Sequence, residues 1–154
     1  MASANDIIDA CKQARKVTGN VDHCNMFVLD VATRCGITLH GNADQILSQI
    51  TGAGWKQLGN DGPAAGAAAA DGELVIGGMT SEALGGAHGH VVIVVKGPLN
   101  RNKYPTAYWG SENASIRDDG GCGKTINFSF NSDDRDEVVY ASHRVQADPV
   151  NTGT

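Results

Sequence analysis

The chain has 154 residues, which is enough for one domain whose hydrophobic core can support the fold without disulfides or metal. Its formal net charge is −5 and its 12 Lys and Arg residues are scattered, which argues against a general nucleic-acid or anionic-membrane binder. The sequence contains no signal-peptide pattern and no apolar run approaching the roughly 20 residues that span a bilayer. We therefore expect a protein that neither inserts into membranes nor follows the general secretory route.

The N-terminal part of the chain carries helix patterns with clear start signals. A helix is predicted over 3–16, where Ser3 and Asp6 have the spacing of a capping box. A second such box, made by Asn42 and Gln45, predicts the start of a later helix. A helix that is apolar nearly all round lies between these two and is expected to be central and buried.

Strand patterns dominate the second half of the chain. A short Ala-rich helix bounded by glycines comes first, over 63–70. Strands are then predicted over 73–76, 90–96, 106–110, 125–130 and 138–142. Helices followed by strands predict an α+β domain with an antiparallel sheet. We expect a single domain over 1–154, in which residues 146–154 form a frayed tail.

Cys24 stands where the polar lead-in VDHC gives way to the central apolar helix, which Gly36 ends. A thiol at a helix N-terminus gains about 0.3–2 kcal/mol in favour of its ionised form. Lowering a free thiol to the pKa of a good protease nucleophile takes roughly 6 kcal/mol, so a cationic partner is also needed. Cys24 is therefore a candidate nucleophile only if a histidine accompanies it.

His90 is the preferred partner, because it opens the β-branched strand of GGAHGHVVIVVKGP. A cysteine that opens a buried helix, followed downstream by a histidine that opens a core strand, is the order of papain-like cysteine hydrolases. His88 would share a face with His90 if the strand began early, but glycines keep it in an approach loop. His23, His40 and His143 are expected to face solvent. A strand histidine without catalytic role remains the alternative for His90.

The remaining cysteines and acidic residues suggest no further site. Cys11 and Cys35 fall on apolar helix faces and are expected to be small buried hydrophobes. Cys122 is expected in an exposed glycine-rich loop, as a spectator thiol without basic neighbours. The carboxylates of 131–137 lack the spacing of a calcium loop, and a zinc site using Cys24 and the HGH motif lacks a second paired motif. We expect neither a metal nor an organic cofactor.

Four ordered blocks carry a family resemblance: DHCNMFVLDVA, HGNADQI, GHVVIVVKGPLNRNKYP and YWGS. They are similar to the first family of type VI secretion amidase effectors, which are compact relatives of the NlpC-type and papain-like cysteine peptidases. The similarity runs from about Ile7 to Ser111, roughly two thirds of the chain. It implies a papain-like or NlpC-type α+β fold, in which N-terminal helices pack on an antiparallel sheet.

The resemblance also implies an activity and a set of roles. The chain would be a single cysteine amidase domain that hydrolyses peptidoglycan stem peptides between γ-D-glutamate and meso-diaminopimelate. Cys24 matches the family nucleophile and His90 the family base. Asn25 and Trp109 are expected to contact substrate, and main chain near Trp109 is expected to orient the imidazole.

The family's biology follows from the same resemblance. The chain would be made in the producer's cytoplasm without a signal peptide and injected by the type VI secretion apparatus into a neighbour's periplasm, as an antibacterial toxin. A cognate periplasmic immunity protein would plug the cleft. Two alternatives remain open: an NlpC-type peptidase or acyltransferase acting on another amide, and a non-catalytic cell-wall-binding or protein-binding module.

Overall fold

A computed structural model describes residues 2–111 and 121–146. Its helices are α1 (Ala4–Arg15), α2 (Thr18–Val21), α3 (Cys24–Arg34), α4 (Ala43–Gln49), α5 (Gly62–Ala70) and α6 (Ser81–Leu84). Its strands are β1 (Lys56–Gly59), β2 (Leu74–Met79), β3 (His90–Val94), β4 (Thr106–Tyr108), β5 (Cys122–Thr125) and β6 (Val139–His143), and a 3₁₀ turn spans Ile126–Phe128. The expected frayed tail lies, from residue 147 onward, outside the described residues.

Both predicted capping boxes are present. Ser3 Oγ accepts a hydrogen bond from the Asp6 N–H at 3.2 Å, and the Asp6 carboxylate accepts one from the Ser3 N–H at 2.8 Å. Asn42 and Gln45 exchange the same pair of bonds at the start of α4, at 2.9 and 2.8 Å. Each box satisfies backbone donors that a helix start leaves unpaired. Local sequence therefore fixes where α1 and α4 begin.

The six strands form one sheet in the order β1-β6-β2-β3-β4-β5, and all the neighbouring strands are antiparallel. The predicted α+β class with an antiparallel sheet is confirmed. β2 and β3 pair at the centre, where Val75 lies opposite Val94 and Met79 opposite His90. The connection between these strands, which contains α6, therefore leaves the sheet beside His90.

Helices cover both faces of the sheet. α1, α3 and α4 enclose a first apolar cluster with one face, whose strand residues include Ile76, Val91 and Ile93. α5 encloses a second cluster with the other face, which includes Val75 and Val92. Neighbouring residues of a strand enter different clusters because side chains alternate across a sheet. Of the described helices, none is long and apolar enough to cross a membrane.

The predicted strand over 125–130 is wrong. The strand in this region is β5, which ends at Thr125, and a 3₁₀ turn follows it. Ile126 and Phe130 are buried while Phe128 is 67% exposed. Alternating apolar residues predicted a strand, but burial at positions 126 and 130 with exposure at 128 matches a turn of helix. Edge strand β1 escaped prediction because its side chains are mostly exposed and carry no apolar alternation.

The expectation for Cys122 is also corrected. Cys122 lies in β5 rather than in a loop, is partly buried and packs against the first cluster. Arg15, which is 6% exposed, donates from Nε to Cys122 Sγ at 3.1 Å, so the thiol does have a basic neighbour. The same guanidinium donates to the Trp109 carbonyl at 3.4 Å. Arg15 thus joins α1 to the far edge of the sheet.

Candidate active site

A cleft of about 570 Å³ opens where α3 and β3 begin. It is lined by residues 22–25, 42–44, 84, 87–90, 110 and 111. Cys24, Asn25 and His90, which come from distant parts of the sequence, therefore line one cleft. The cleft offers a thiol, imidazoles, carboxylates and an amide to a ligand. Among residues 2–111 and 121–146, no group of three or more His, Cys, Asp and Glu is arranged to hold a metal ion.

Cys24 is the first residue of α3, partly buried and packed against the first cluster. The preceding residue, His23, is the N-cap but does not cap the helix with its side chain. Its Nδ1 lies instead 2.8 Å from Asp22 Oδ1 and 3.2 Å from the Gly19 carbonyl oxygen. The first turn of α3 therefore begins at the side of the cleft without a side-chain cap from His23.

The backbone that leads into Cys24 is held by the segment after β4. The Ser111 N–H donates to the Val21 carbonyl at 2.9 Å. Gly110 lies so close to the Asn20 carbonyl that a Cβ atom at position 110 would overlap it. The Asn20 side chain, 4% exposed, donates to Asp30 Oδ2 at 2.7 Å and so ties the same backbone to α3. These contacts fix where Cys24 stands relative to the sheet.

His90 enters the cleft from the first position of β3, opposite Met79. Its Nε2 lies 2.6 Å from Ser129 Oγ, and its ring centroid lies 5.0 Å from that of Phe130. Burial lowers the pKa of His90 to about 4, because a buried site disfavours the charged imidazolium. At neutral pH the His90 ring of the folded chain is therefore neutral and able to accept a proton.

Asp44 lies on the rim of the cleft. Its carboxylate accepts hydrogen bonds from the Ser81 N–H at 2.8 Å and the Ser81 hydroxyl at 2.5 Å. These bonds lower the pKa of Asp44, and the bond from the Ser81 hydroxyl contributes most. The carboxyl group is therefore ionised at neutral pH. Gly89 packs tightly beneath, since a Cβ there would lie 2.6 Å from Asp44 Oδ1. Asp44 thus ties α4 to the start of α6 and to the loop that precedes His90.

The remaining predicted site residues occupy different positions. Asn25 lines the cleft, and its Nδ2 donates to the Gly41 carbonyl at 3.2 Å. Trp109 is 6% exposed and packs in the second cluster, while the two residues that follow it line the cleft. His23 and His88, both exposed, line the cleft beside Cys24 and His90. His143 packs edge-on against Trp55, with 4.9 Å between ring centroids.

Ser129 is the contact of His90 that the sequence did not suggest. It is 39 residues away in the chain, in a segment where the pattern predicted a strand. No local spacing links a strand-opening histidine to a serine after a 3₁₀ turn. Ser129 and His90 come together through the pairing of β3 with β4 and of β4 with β5, which brings the turn after β5 close to the start of β3.

Fold and cleft together define an α+β domain of papain-like class, with a thiol at a helix start and an imidazole at a strand start. No protein-family model matches the chain. The chain is 34% identical over 140 residues to the peptidoglycan amidase Tse1 of Pseudomonas aeruginosa, a match that covers 87% of this chain and 86% of Tse1. The chain therefore belongs to the family of that amidase, and the family resemblance of the four sequence blocks is confirmed.

Proposed function

We propose that this chain is a cysteine-dependent peptidoglycan amidase that cleaves stem peptides between γ-D-glutamate and meso-diaminopimelate. Its relative Tse1 is named for amidase activity on peptidoglycan, and the match spans most of both chains. The observation that carries the cysteine mechanism is that Cys24 and His90 line the same cleft. The chemistry is acyl transfer by a nucleophile and a base.

The proposed reaction uses the two residues in turn. The Cys24 proton passes to His90, and the sulfur attacks the γ-carbonyl carbon of the glutamyl residue to form a tetrahedral intermediate. Backbone N–H groups at the start of α3 stabilise its oxyanion. His90 then protonates the leaving amine as the C–N bond breaks, which leaves a thioester on Cys24. A water gives its proton to His90 and attacks the thioester carbon. The C–S bond then breaks, the sulfur takes the proton back from His90, and the acid product leaves.

Substrate contacts in this proposal come from both sides of the nucleophile. Asn25 follows Cys24 on the first turn of α3 and is anchored by Gly41, so its amide sits on a fixed backbone beside the reacting carbonyl. Trp109 is buried, and its expected contribution is to place the main chain of Gly110 and Ser111 along the cleft. For Asn25 this role predicts a loss in kcat/KM rather than in folding, whereas a change of Trp109 would also cost stability, because Trp109 is part of the second cluster.

The same proposal includes how the protein is delivered and which partner proteins it meets. The family resemblance supports export by the type VI secretion apparatus into a target cell's periplasm and an immunity protein that blocks the cleft there. An acidic chain with net charge −5 fits a peptide substrate better than nucleic acid or an anionic membrane. No cofactor enters the proposed reaction.

The proposal is tested with purified muropeptides and mass spectrometry of the products. We expect the native chain to release fragments cut between glutamate and diaminopimelate, and Cys24→Ala to release none while its circular dichroism spectrum is unchanged. Cys35→Ala, which changes a partly buried thiol at the end of α3, is the matched control and should keep its activity. Full activity in Cys24→Ala would end the cysteine mechanism. Binding of sacculi without cleavage by the native chain would instead indicate a non-catalytic module.

A further inference from the structure

We propose that Ser129 is the positioning residue that orients His90 toward Cys24. This inference rests on the Cys24/His90 pair proposed above. The position that many papain-like enzymes fill with an amide or carboxylate side chain is here filled by a hydroxyl. The hydroxyl comes from the turn after β5 rather than from main chain near Trp109.

The contact between His90 and Ser129 is short, and the backbone of Ser129 is held in place by the turn. The 2.6 Å between His90 Nε2 and Ser129 Oγ lies at the short end of the hydrogen-bond range. The Ser129 N–H donates to the Ile126 carbonyl at 2.9 Å, which closes the 3₁₀ turn and sets where the hydroxyl points. Phe130, the residue after Ser129, is 4% exposed and packs against the ring of His90. One short segment therefore restrains the imidazole by a hydrogen bond and by an aromatic contact.

The direction of this bond decides which tautomer the neutral ring carries. When Ser129 Oγ accepts the Nε2–H of His90, the lone pair of a neutral ring lies on Nδ1. That nitrogen is then free to take the thiol proton and to return it to the leaving amine. If the hydroxyl donated to Nε2 instead, Nδ1 would carry the proton of the neutral ring and could not act as the base. The mechanism therefore requires Ser129 as acceptor.

A hydroxyl differs from a carboxylate in what it adds. It fixes the ring's orientation and, when it accepts the Nε2–H, its tautomer, but it brings no negative charge to stabilise an imidazolium. Within the described residues, the carboxylates that line the cleft are Asp22, which lies 2.8 Å from His23, and Asp44, which is bound to Ser81. Ser129 should accordingly affect turnover through geometry, and it should affect substrate binding little.

The test compares Ser129→Ala with Ser129→Thr, which keeps the hydroxyl, and with Ser132→Ala, an exposed serine in the same segment. We expect Ser129→Ala to lose about 10- to 100-fold in kcat on muropeptides with KM changed less than about threefold, as for loss of a hydrogen bond to a charged group. Ser129→Thr should recover most of that loss, and Ser132→Ala should match the native chain. Melting temperatures should show that all three variants are folded at the assay temperature.

A second readout needs no substrate and so separates this inference from the proposed function. Nitrogen-15 NMR of the histidine rings should show His90 as the Nε2–H tautomer in the native chain and a mixture of tautomers in Ser129→Ala. If the native chain fails to cleave muropeptides but shows this change, the proposed function fails and the positioning role stands. Native kcat in Ser129→Ala, or an Nδ1–H tautomer of His90 in the native chain, would overturn the role of Ser129.

Discussion

Burial of His90, the proposed base, favours one of its two protonation states and disfavours the other. The neutral ring is favoured, which keeps it ready to accept a proton at any pH above about 4. The imidazolium is penalised by the same desolvation, so it forms readily only when a thiolate or an oxyanion develops beside it. In the proposed mechanism the thiolate–imidazolium pair therefore forms during the reaction, more than it exists before substrate binds.

The same burial predicts how stability depends on pH. His90 titrates near 4 when folded and near its ordinary value of 6.5 when unfolded, so between these values the unfolded chain binds more protons. Stability contributed by this group is complete above pH 6.5 and is lost as pH falls toward 4, by up to roughly 3 kcal/mol. Urea unfolding at pH 7 and pH 4.5 should show the native chain losing more free energy of unfolding than His90→Gln.

His40→Gln is the control for that measurement, since His40 is exposed and its hydrogen bonds to Gln49 are made by its main chain. Its loss of stability between the two pH values should equal that of the native chain. If His90→Gln and the native chain lost the same free energy over this interval, burial would not control the titration of His90.

At the scale of elements, the cleft depends on how α3 meets the end of β4. The backbone before Cys24 packs directly on Gly110 without any side chain between them. Close backbone approach of this kind needs glycine for its missing Cβ, whatever its φ angle. The position of Cys24, the proposed nucleophile, is therefore set by a residue from the other half of the chain.

Gly110→Ala should push the α2–α3 junction away from the sheet. We expect a loss of about 1–3 kcal/mol in unfolding free energy, as in other overpacked sites, with at least a tenfold fall in kcat/KM on muropeptides. Gly19→Ala is the matched control, because a Cβ on Gly19 in α2 meets nothing within 4 Å. It should be neutral or slightly stabilising and fully active. Native kcat/KM in Gly110→Ala would show that this packing does not position Cys24.

The elements that the sequence predicted correctly are those with local signals. The Ser3 and Asn42 caps are satisfied within three residues of themselves, so a short stretch of sequence contains all their partners. The strand nature of β3 likewise follows from its β-branched residues. Ser129 could not be found this way, because its contact with His90 depends on two strand pairings, β3 with β4 and β4 with β5, that bring a distant turn to His90. Cys122 was misjudged for the same reason, since its partner Arg15 is on α1.

At the scale of the whole molecule, the two apolar clusters share one sheet. Strand β3 contributes Val91 to the first cluster and Val92 to the second, and both are fully buried. Neither cluster can lose its strands without exposing the other, so the described part of the chain should unfold as a single unit. Cooperative unfolding of this kind is what the prediction of a single domain implies.

Val91→Ala and Val92→Ala test this coupling as a matched pair, because each removes the same two methyl groups from opposite faces of one strand. We expect each to lower the free energy of unfolding by about 1–3 kcal/mol. The transition should shift equally whether it is followed by alkylation of Cys11 or by Trp109 fluorescence in a Trp55→Phe background. Cys11 lies in the first cluster, and burial raises its pKa well above the ordinary value, so it reacts only on unfolding. Trp109 lies in the second cluster. The two faces would unfold independently if the two transitions separated. In that case Val91→Ala would shift only the alkylation of Cys11, and Val92→Ala would shift only the fluorescence of Trp109.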